Sequence, residues 1–182
     1  MNLPNKLTLL RVCLIPVFLA LYPYNIFGDP ASRYAALGVF ITASLTDALD
    51  GHIARSRNLI TNFGKLMDPM ADKLLVAAAL VAMVQTAVLP AWTVIIIISR
   101  EFLITGFRML ALERNIVIAA SNWGKLKTIS QMVMIILILP GFVPNVILFP
   151  AITVTVVLTV VSAVDYILIN KNVMSERNGI KK

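Results

Sequence analysis

Cysteine and histidine are almost absent from this chain of 182 residues, which contains only Cys13 and His52. A single cysteine excludes an internal disulfide framework and cannot supply a cysteine-rich metal cluster. A lone histidine is more often a surface or packing residue than a ligand, so His52 is assigned no metal role. The sequence therefore does not predict a metal site built from cysteine or histidine.

Charged residues are also scarce, at 14% of the chain, whereas 59% of the residues are hydrophobic and the mean hydropathy is +0.87. Soluble domains contain roughly 45–50% apolar residues. A soluble protein of this length could not bury so much apolar surface in one core. The composition therefore predicts an integral membrane protein.

The net charge of +7 does not indicate nucleic-acid binding. No basic run alternates with aromatic residues, as a protein that binds single strands requires. The N-terminus also lacks a short apolar core followed by a small-residue cleavage site, so we expect the first apolar segment to be retained. No nucleic-acid partner is expected.

Acidic residues number only nine, and four of them lie in one stretch, as Asp47, Asp50, Asp68 and Asp72. Carboxylates at membrane depth are costly, which makes them candidates for a functional site. The spacings i, i+3 and i, i+4 place each pair on one face of a helix. Four neighbouring anions repel unless they are neutralised, and divalent cations prefer oxygen ligands. The four aspartates therefore predict a metal site.

Small residues accompany the carboxylates, namely Gly51, Ala54 and Gly64. They allow a ligand to approach the backbone closely. Arg55 adds a fixed cation suited to a phosphate or to a pair of carboxylates. The stretch therefore leaves room for a ligand beside the carboxylates and leaves both roles of Arg55 open.

Apolar segments separated by turns and charges predict an all-α integral membrane protein with six transmembrane helices. A short N-terminal interfacial helix within residues 1–11 is expected to run into the first span. Ser32 is expected to be the N-cap of the second helix. We expect one membrane domain over residues 1–182, with no internal repeat, and spans at about 7–22, 32–57, 64–85, 90–114, 122–139 and 144–170.

The basic residues predict the orientation of these spans. Arg33 is the only basic residue near the first, third and fifth loops, and most others lie at the termini and near residues 56–65 and 114–123. By the positive-inside rule, both termini and the aspartates face the cytoplasm. We therefore expect six spans with one site that faces the cytoplasm, and the compact form suggests a bacterial inner membrane.

Polar residues outside the aspartate stretch leave two interpretations open. Arg100, Glu101 and Arg108 interrupt the fourth helix, and Glu101 and Arg108 share a face. They form either an internal charge relay or a pocket for an anionic substrate. Lys125 and Lys127 lie near the start of the fifth helix, where a bound anion would relieve their conflict with the helix dipole.

The aspartate stretch follows the pattern D-x2-D-G-x2-A-R-x8-G-x3-D-x3-D and matches it at all eight fixed positions. This pattern resembles the signature of the CDP-alcohol phosphatidyltransferase family. The resemblance implies that an alcohol attacks the phosphorus of a CDP-alcohol and that CMP leaves. It also implies six transmembrane helices with a cytosol-facing polar active-site cavity, a pair of Mg²⁺ or Mn²⁺ ions, and a homodimer. By motif position, Asp47, Asp50 and Asp68 would bind metal, Asp72 would bind metal or act as the general base, and Gly51, Ala54, Arg55 and Gly64 would line the CDP site.

Three shorter segments, around residues 5–11, 100–108 and 124–131, resemble the branch of this family that uses glycerol 3-phosphate. That implies transfer from CDP-diacylglycerol in the lipid bilayer, with phosphatidylglycerophosphate as the product. The acceptor phosphate would then be bound by Thr8, Arg108, Lys125 and Lys127. Inositol phosphate, serine and phosphatidylglycerol remain alternative acceptors.

A cation transporter or channel is the alternative from another functional class, with the aspartates as an ion pathway. Such a pathway favours acidic residues near the midplane and a route to the outer face. The predicted carboxylates instead gather at one face, without matching acids on the other side. A purely structural membrane protein leaves the eight-position match unexplained.

Overall fold

The computed structural model describes residues 3–56, 62–113 and 121–170, with side chains at 9–46, 73–109, 111 and 121–170. The described backbone forms helices and turns, without a strand. The all-α prediction is therefore confirmed for these residues. The six helices of the described ranges are α1 (Leu3–Leu21), α2 (Ala31–Ser56), α3 (Asn62–Gln85), α4 (Ala91–Glu113), α5 (Asn122–Ile138) and α6 (Asn145–Ile169).

Within the described part of the chain, α6 is the one helix long and apolar enough to cross a bilayer by length and composition. Charged residues interrupt the apolar runs of other helices, such as Arg100, Glu101 and Arg108 in α4. The bounds of all six helices nevertheless lie close to those of the predicted spans. Six membrane crossings remain a prediction.

The N-terminal helix that we expected to run into the first span does so without a break, and its interfacial location stays a prediction. The chain enters α1 at Leu3 and continues in one helix to Leu21. Pro4 lies in the first turn, where its missing N–H would have no intrahelical acceptor. Nothing therefore interrupts the helix between its polar start and its apolar body.

Ser32 does not act as the N-cap that we expected for α2. The helix begins at Ala31, and the Oγ of Ser32 accepts a hydrogen bond from the backbone N–H of Phe27 at 2.8 Å. The backbone N–H of Ser32 donates to the carbonyl of Gly28 at 3.0 Å. The buried serine therefore closes the preceding loop onto the helix.

The chain divides into two compact units, which are described separately. The first unit comprises Met1–Val94 and Ile135–Pro144. Within it, α1 packs against both α2 and α3. The buried ring of Phe18 on α1 lies 5.9 Å from that of Tyr22 and 6.2 Å from that of Phe40 on α2. Helix α1 is therefore a common support for the two helices that carry the aspartate motif.

The second unit comprises Ile95–Met134 and Asn145–Lys182, and many of its buried residues are polar. The Oγ1 of Thr155 donates to the carbonyl of Ser130 at 3.2 Å and to that of Ala151 at 2.8 Å. Polar contacts of this kind hold helices together where water is excluded. Among the described side chains of this unit, the buried polar ones are Lys127, Gln131, Thr155, Thr159 and Ser162.

Candidate functional site

All eight fixed positions of the motif lie in helices of the first unit. Asp47 and Asp50 lie in the last turns of α2, whereas Asp68 and Asp72 lie in the first half of α3. At a rise of about 1.5 Å per residue, the members of the pairs are separated by about 4.5 Å and about 6 Å along their helix axes. Each pair therefore shares a helix face, as predicted. The four side chains themselves are not among those that the structure describes.

The donor set of the motif suits a hard divalent cation. Four carboxylates provide only oxygen ligands, which is the set that Mg²⁺ and Mn²⁺ prefer. Among the described side chains, no group of three histidine, cysteine or acidic residues gathers elsewhere to hold a metal. The assignment of the four aspartates as the metal site therefore stays a prediction.

Gly51, Ala54 and Arg55 continue along α2 after the first aspartate pair, and Gly64 lies in the first turn of α3. Their side chains, like that of Thr8 on α1, are not among those that the structure describes. Their assignment to the CDP site and to the acceptor phosphate therefore stays a prediction.

Arg11 is a cation of the first unit whose burial the sequence analysis did not predict. Its side chain is only 3% exposed, and it belongs to α1, which packs against α2 and α3. Burial of a guanidinium is costly unless the charge is compensated. Arg11 does engage in a polar or electrostatic interaction. The sequence signal that could have predicted this burial is the position of Arg11 inside a long apolar run.

The second unit contains an ion pair in its interior. The Nζ of Lys127 on α5 donates to the Oε1 of Glu101 on α4. The Nη1 of Arg100 lies 3.6 Å from the same oxygen. Arg100 also donates from Nε to the Oγ of Ser162 on α6 at 3.2 Å. These contacts favour the interpretation of an internal charge network for this part of α4.

The two other predicted phosphate-binding cations of this unit are exposed. Lys125 lies in the first turn of α5, and Arg108 lies on α4, with its guanidinium carbon 5.8 Å from the centroid of the Tyr166 ring. Such stacking orients a guanidinium without using its N–H donors. Both cations are therefore accessible to an anionic ligand.

Helix α5 begins with an N-cap that the sequence analysis did not identify. The Oγ of Ser121 accepts a hydrogen bond from the backbone N–H of Gly124 at 3.1 Å. A Cβ on Gly124 would lie 3.6 Å from the Nη2 of Arg100, so this guanidinium lies beside the first turn of α5. The Oγ of Ser121 therefore caps the start of α5, and the guanidinium of Arg100 lies close to it.

Comparisons with known proteins agree with the resemblance carried by the motif. Residues 1–169 match the model of the CDP-alcohol phosphatidyltransferase family. The chain is 44% identical to a CDP-diacylglycerol–glycerol-3-phosphate 3-phosphatidyltransferase of Bacillus subtilis, over 97% of this chain and 99% of the relative.

Two further relatives carry related names. A probable phosphatidylglycerophosphate synthase of Mycobacterium tuberculosis is 40% identical over 91% of this chain and 80% of its own length. A CDP-diacylglycerol–glycerol-3-phosphate 3-phosphatidyltransferase of Rickettsia bellii is 38% identical over 72% and 71%. The chain therefore belongs to the CDP-alcohol phosphatidyltransferase family.

Proposed function

We propose that this protein transfers the phosphatidyl group of CDP-diacylglycerol to glycerol 3-phosphate, giving phosphatidylglycerophosphate and CMP. The observation that carries the proposal is the nearly full-length match to a relative named for this reaction. The placement of every motif position on α2 and α3 supports it, because the chemistry requires both carboxylate pairs.

Asp47, Asp50, Asp68 and Asp72 would hold the divalent metal, Mg²⁺ or Mn²⁺, as a pair of ions. When bound, the metal neutralises charge on the diphosphate and stabilises the departing CMP. Asp72 takes the proton from the acceptor hydroxyl as general base. The acceptor oxygen then bonds to the phosphorus attached to the diacylglycerol, and the bond from that phosphorus to CMP breaks.

The CDP group would be bound by the remaining motif residues. Gly51, Ala54 and Gly64 leave room beside the helix backbones, and Arg55 supplies a cation for the diphosphate. The diacylglycerol chains remain in the bilayer, so the donor reaches the protein from the membrane.

The proposed architecture is a single membrane domain with six spans and a polar cavity that faces the cytoplasm. The apolar helix α6 supports it, as do strongly exposed apolar residues on the described surface, such as Phe102 and Phe149, which are 71% and 73% exposed. Soluble monomers rarely expose large contiguous apolar areas. We place the protein, as a homodimer, in a bacterial inner membrane with both termini cytoplasmic.

The phosphate of glycerol 3-phosphate would be bound by cations outside the metal site. The exposed Arg108 and Lys125 are the accessible ones among the described candidates, and Thr8 and Lys127 complete the predicted set. An acceptor without a phosphate, such as serine, would leave these cations without their ligand.

The proposal is tested by measuring CMP release from CDP-diacylglycerol by the purified protein in detergent with magnesium. Glycerol 3-phosphate, inositol phosphate and serine are compared as acceptors. We expect release with glycerol 3-phosphate alone. Release with another acceptor instead would contradict the acceptor assignment, and folded protein without release under any condition would contradict the transferase assignment.

A further inference from the structure

Lys127 has the environment of an internal counter-ion. Its side chain is 1% exposed and its Nζ donates to the Oε1 of Glu101, whose side chain is 24% exposed. An ammonium group removed from solvent is costly unless an anion compensates its charge. The carboxylate of Glu101 therefore compensates the charge of the buried Lys127.

Burial also separates Lys127 from Lys125. The two residues are spaced i, i+2 on α5 and therefore do not share a helix face. Lys125 is exposed, whereas Lys127 faces α4 through its contact with Glu101. Because the side chain of Lys127 is only 1% exposed, a phosphate could contact its Nζ only after the neighbouring side chains had moved.

The ion pair is one part of a network that joins all three helices of the second unit. Arg100, next to Glu101, donates from Nε to the Oγ of Ser162 on α6. The hydroxyl of Ser162 in turn donates to the carbonyl of Thr159 at 3.1 Å. Glu101 lies between the two cations, and its oxygen Oε1 is close to both of them. Removal of its carboxylate therefore leaves two neighbouring cations without their shared anion.

The network lies on the same helix as an exposed candidate for phosphate binding. Arg108 lies two turns beyond Glu101 on the same face of α4 and stacks on Tyr166 of α6. Any shift of α4 against α5 and α6 would therefore displace Arg108 relative to Lys125. The position of both exposed cations depends on the contacts that fix these helices.

We propose that Glu101 is a positioning residue for acceptor recognition. Its carboxylate holds Lys127 inside the second unit and fixes α4 on α5, so that Arg108 and Lys125 are presented to the phosphate of the acceptor. This inference rests on the proposed function. It replaces a direct phosphate contact by Lys127 with an indirect role through Glu101.

A double-mutant cycle of the wild type, Glu101→Gln, Lys127→Met and the double variant tests this role. We expect each single variant to raise the KM for glycerol 3-phosphate about tenfold, with little change in the KM for CDP-diacylglycerol. The KM of the double variant for glycerol 3-phosphate should not exceed the higher KM of the two single variants, because both substitutions remove the same ion pair. Asp29→Asn, which removes an exposed ion pair with Arg33 in the first unit, is the matched control and should leave both KM values unchanged.

A much larger effect of Lys127→Met than of Glu101→Gln, with additive effects in the double variant, would show direct phosphate binding and overturn the proposal. Equal changes in both KM values, or a fall in kcat alone, would also overturn it. If Lys127→Met does not fold, Glu101→Asp is compared with Glu101→Gln instead. Because aspartate keeps the charge, it should raise the acceptor KM less than glutamine does.

Thermal unfolding in detergent measures the ion pair without turnover. Non-additive losses of Tm in the same four proteins are expected even if the wild type uses another acceptor. Failure of the proposed acceptor is thereby distinguished from failure of the ion pair, because additive Tm losses would contradict the pairing itself.

Discussion

The guanidinium of Arg33 lies against the α-carbon of Gly141, in the space that a side chain at that position would occupy. Gly141 follows α5 and has a φ of 78°, and Arg33 donates from Nε to the Oδ1 of Asp29 at 2.7 Å. Arg33 is the basic residue that stands apart from the predicted cytoplasmic cations. Within the first unit, it connects the start of α2 to the loop after α5.

Gly141→Ala should therefore destabilise the protein for two reasons. Alanine at positive φ costs about 1–2 kcal/mol, and its Cβ displaces the guanidinium of Arg33. Gly28→Ala is the matched control, since Gly28 has a φ of 76° but no heavy atom within 4 Å of an added Cβ. Thermal unfolding in detergent, followed by tryptophan fluorescence, should show a larger loss of Tm for Gly141→Ala. Equal losses would contradict the close contact with Arg33.

Ser121→Ala should destabilise α5, because it removes the acceptor for the backbone N–H of Gly124. Loss of such a cap costs about 1 kcal/mol. Thermal unfolding should show a lowered Tm for this variant, whereas Ser121→Asp, which keeps a capping oxygen, should stay close to the wild type. An unchanged Tm for Ser121→Ala would refute the cap.

Helix positions were largely predictable from the sequence, because apolar runs, prolines and charged ends mark them locally. The helical placement of both aspartate pairs followed from the same signals. The role of Ser32 was not predictable, since its partner, the N–H of Phe27, depends on how the preceding loop closes.

The burial of Lys127 was equally hidden from the sequence. Lys125 and Lys127 look alike in the sequence, and only the carboxylate of Glu101 on another helix distinguishes them. Contacts between distant segments, rather than local patterns, decide these features.

Arg108→Met should weaken acceptor binding, because it removes an exposed cation proposed for the phosphate. We expect the KM for glycerol 3-phosphate to rise about tenfold, the loss typical of one charge-assisted contact, and the KM for CDP-diacylglycerol to stay constant. Arg108→Lys should have an acceptor KM between those of the wild type and Arg108→Met, because lysine keeps the charge but lacks the planar guanidinium. Steady-state kinetics with each substrate varied in turn provide the measurement, and an unchanged acceptor KM would remove Arg108 from the site.

Asp72→Asn should abolish turnover and leave CDP-diacylglycerol binding largely intact. The amide cannot accept the proton of the acceptor hydroxyl, and loss of a general base typically costs about 10²–10⁴-fold in rate. Asp165→Asn, a carboxylate of α6 outside the motif, is the control and should retain turnover. Turnover by Asp72→Asn at the wild-type rate would disprove the base assignment.

Metal removal and restoration tests the central claim, that the aspartates of α2 and α3 form the metal site of a phosphatidyltransferase. The measurement is CMP release from CDP-diacylglycerol and glycerol 3-phosphate by protein treated with EDTA, before and after addition of Mg²⁺ or Mn²⁺. We predict that release stops with the chelator and returns with either ion, but does not return in Asp68→Asn. Undiminished release in the presence of EDTA, or full restoration in Asp68→Asn, would contradict the account.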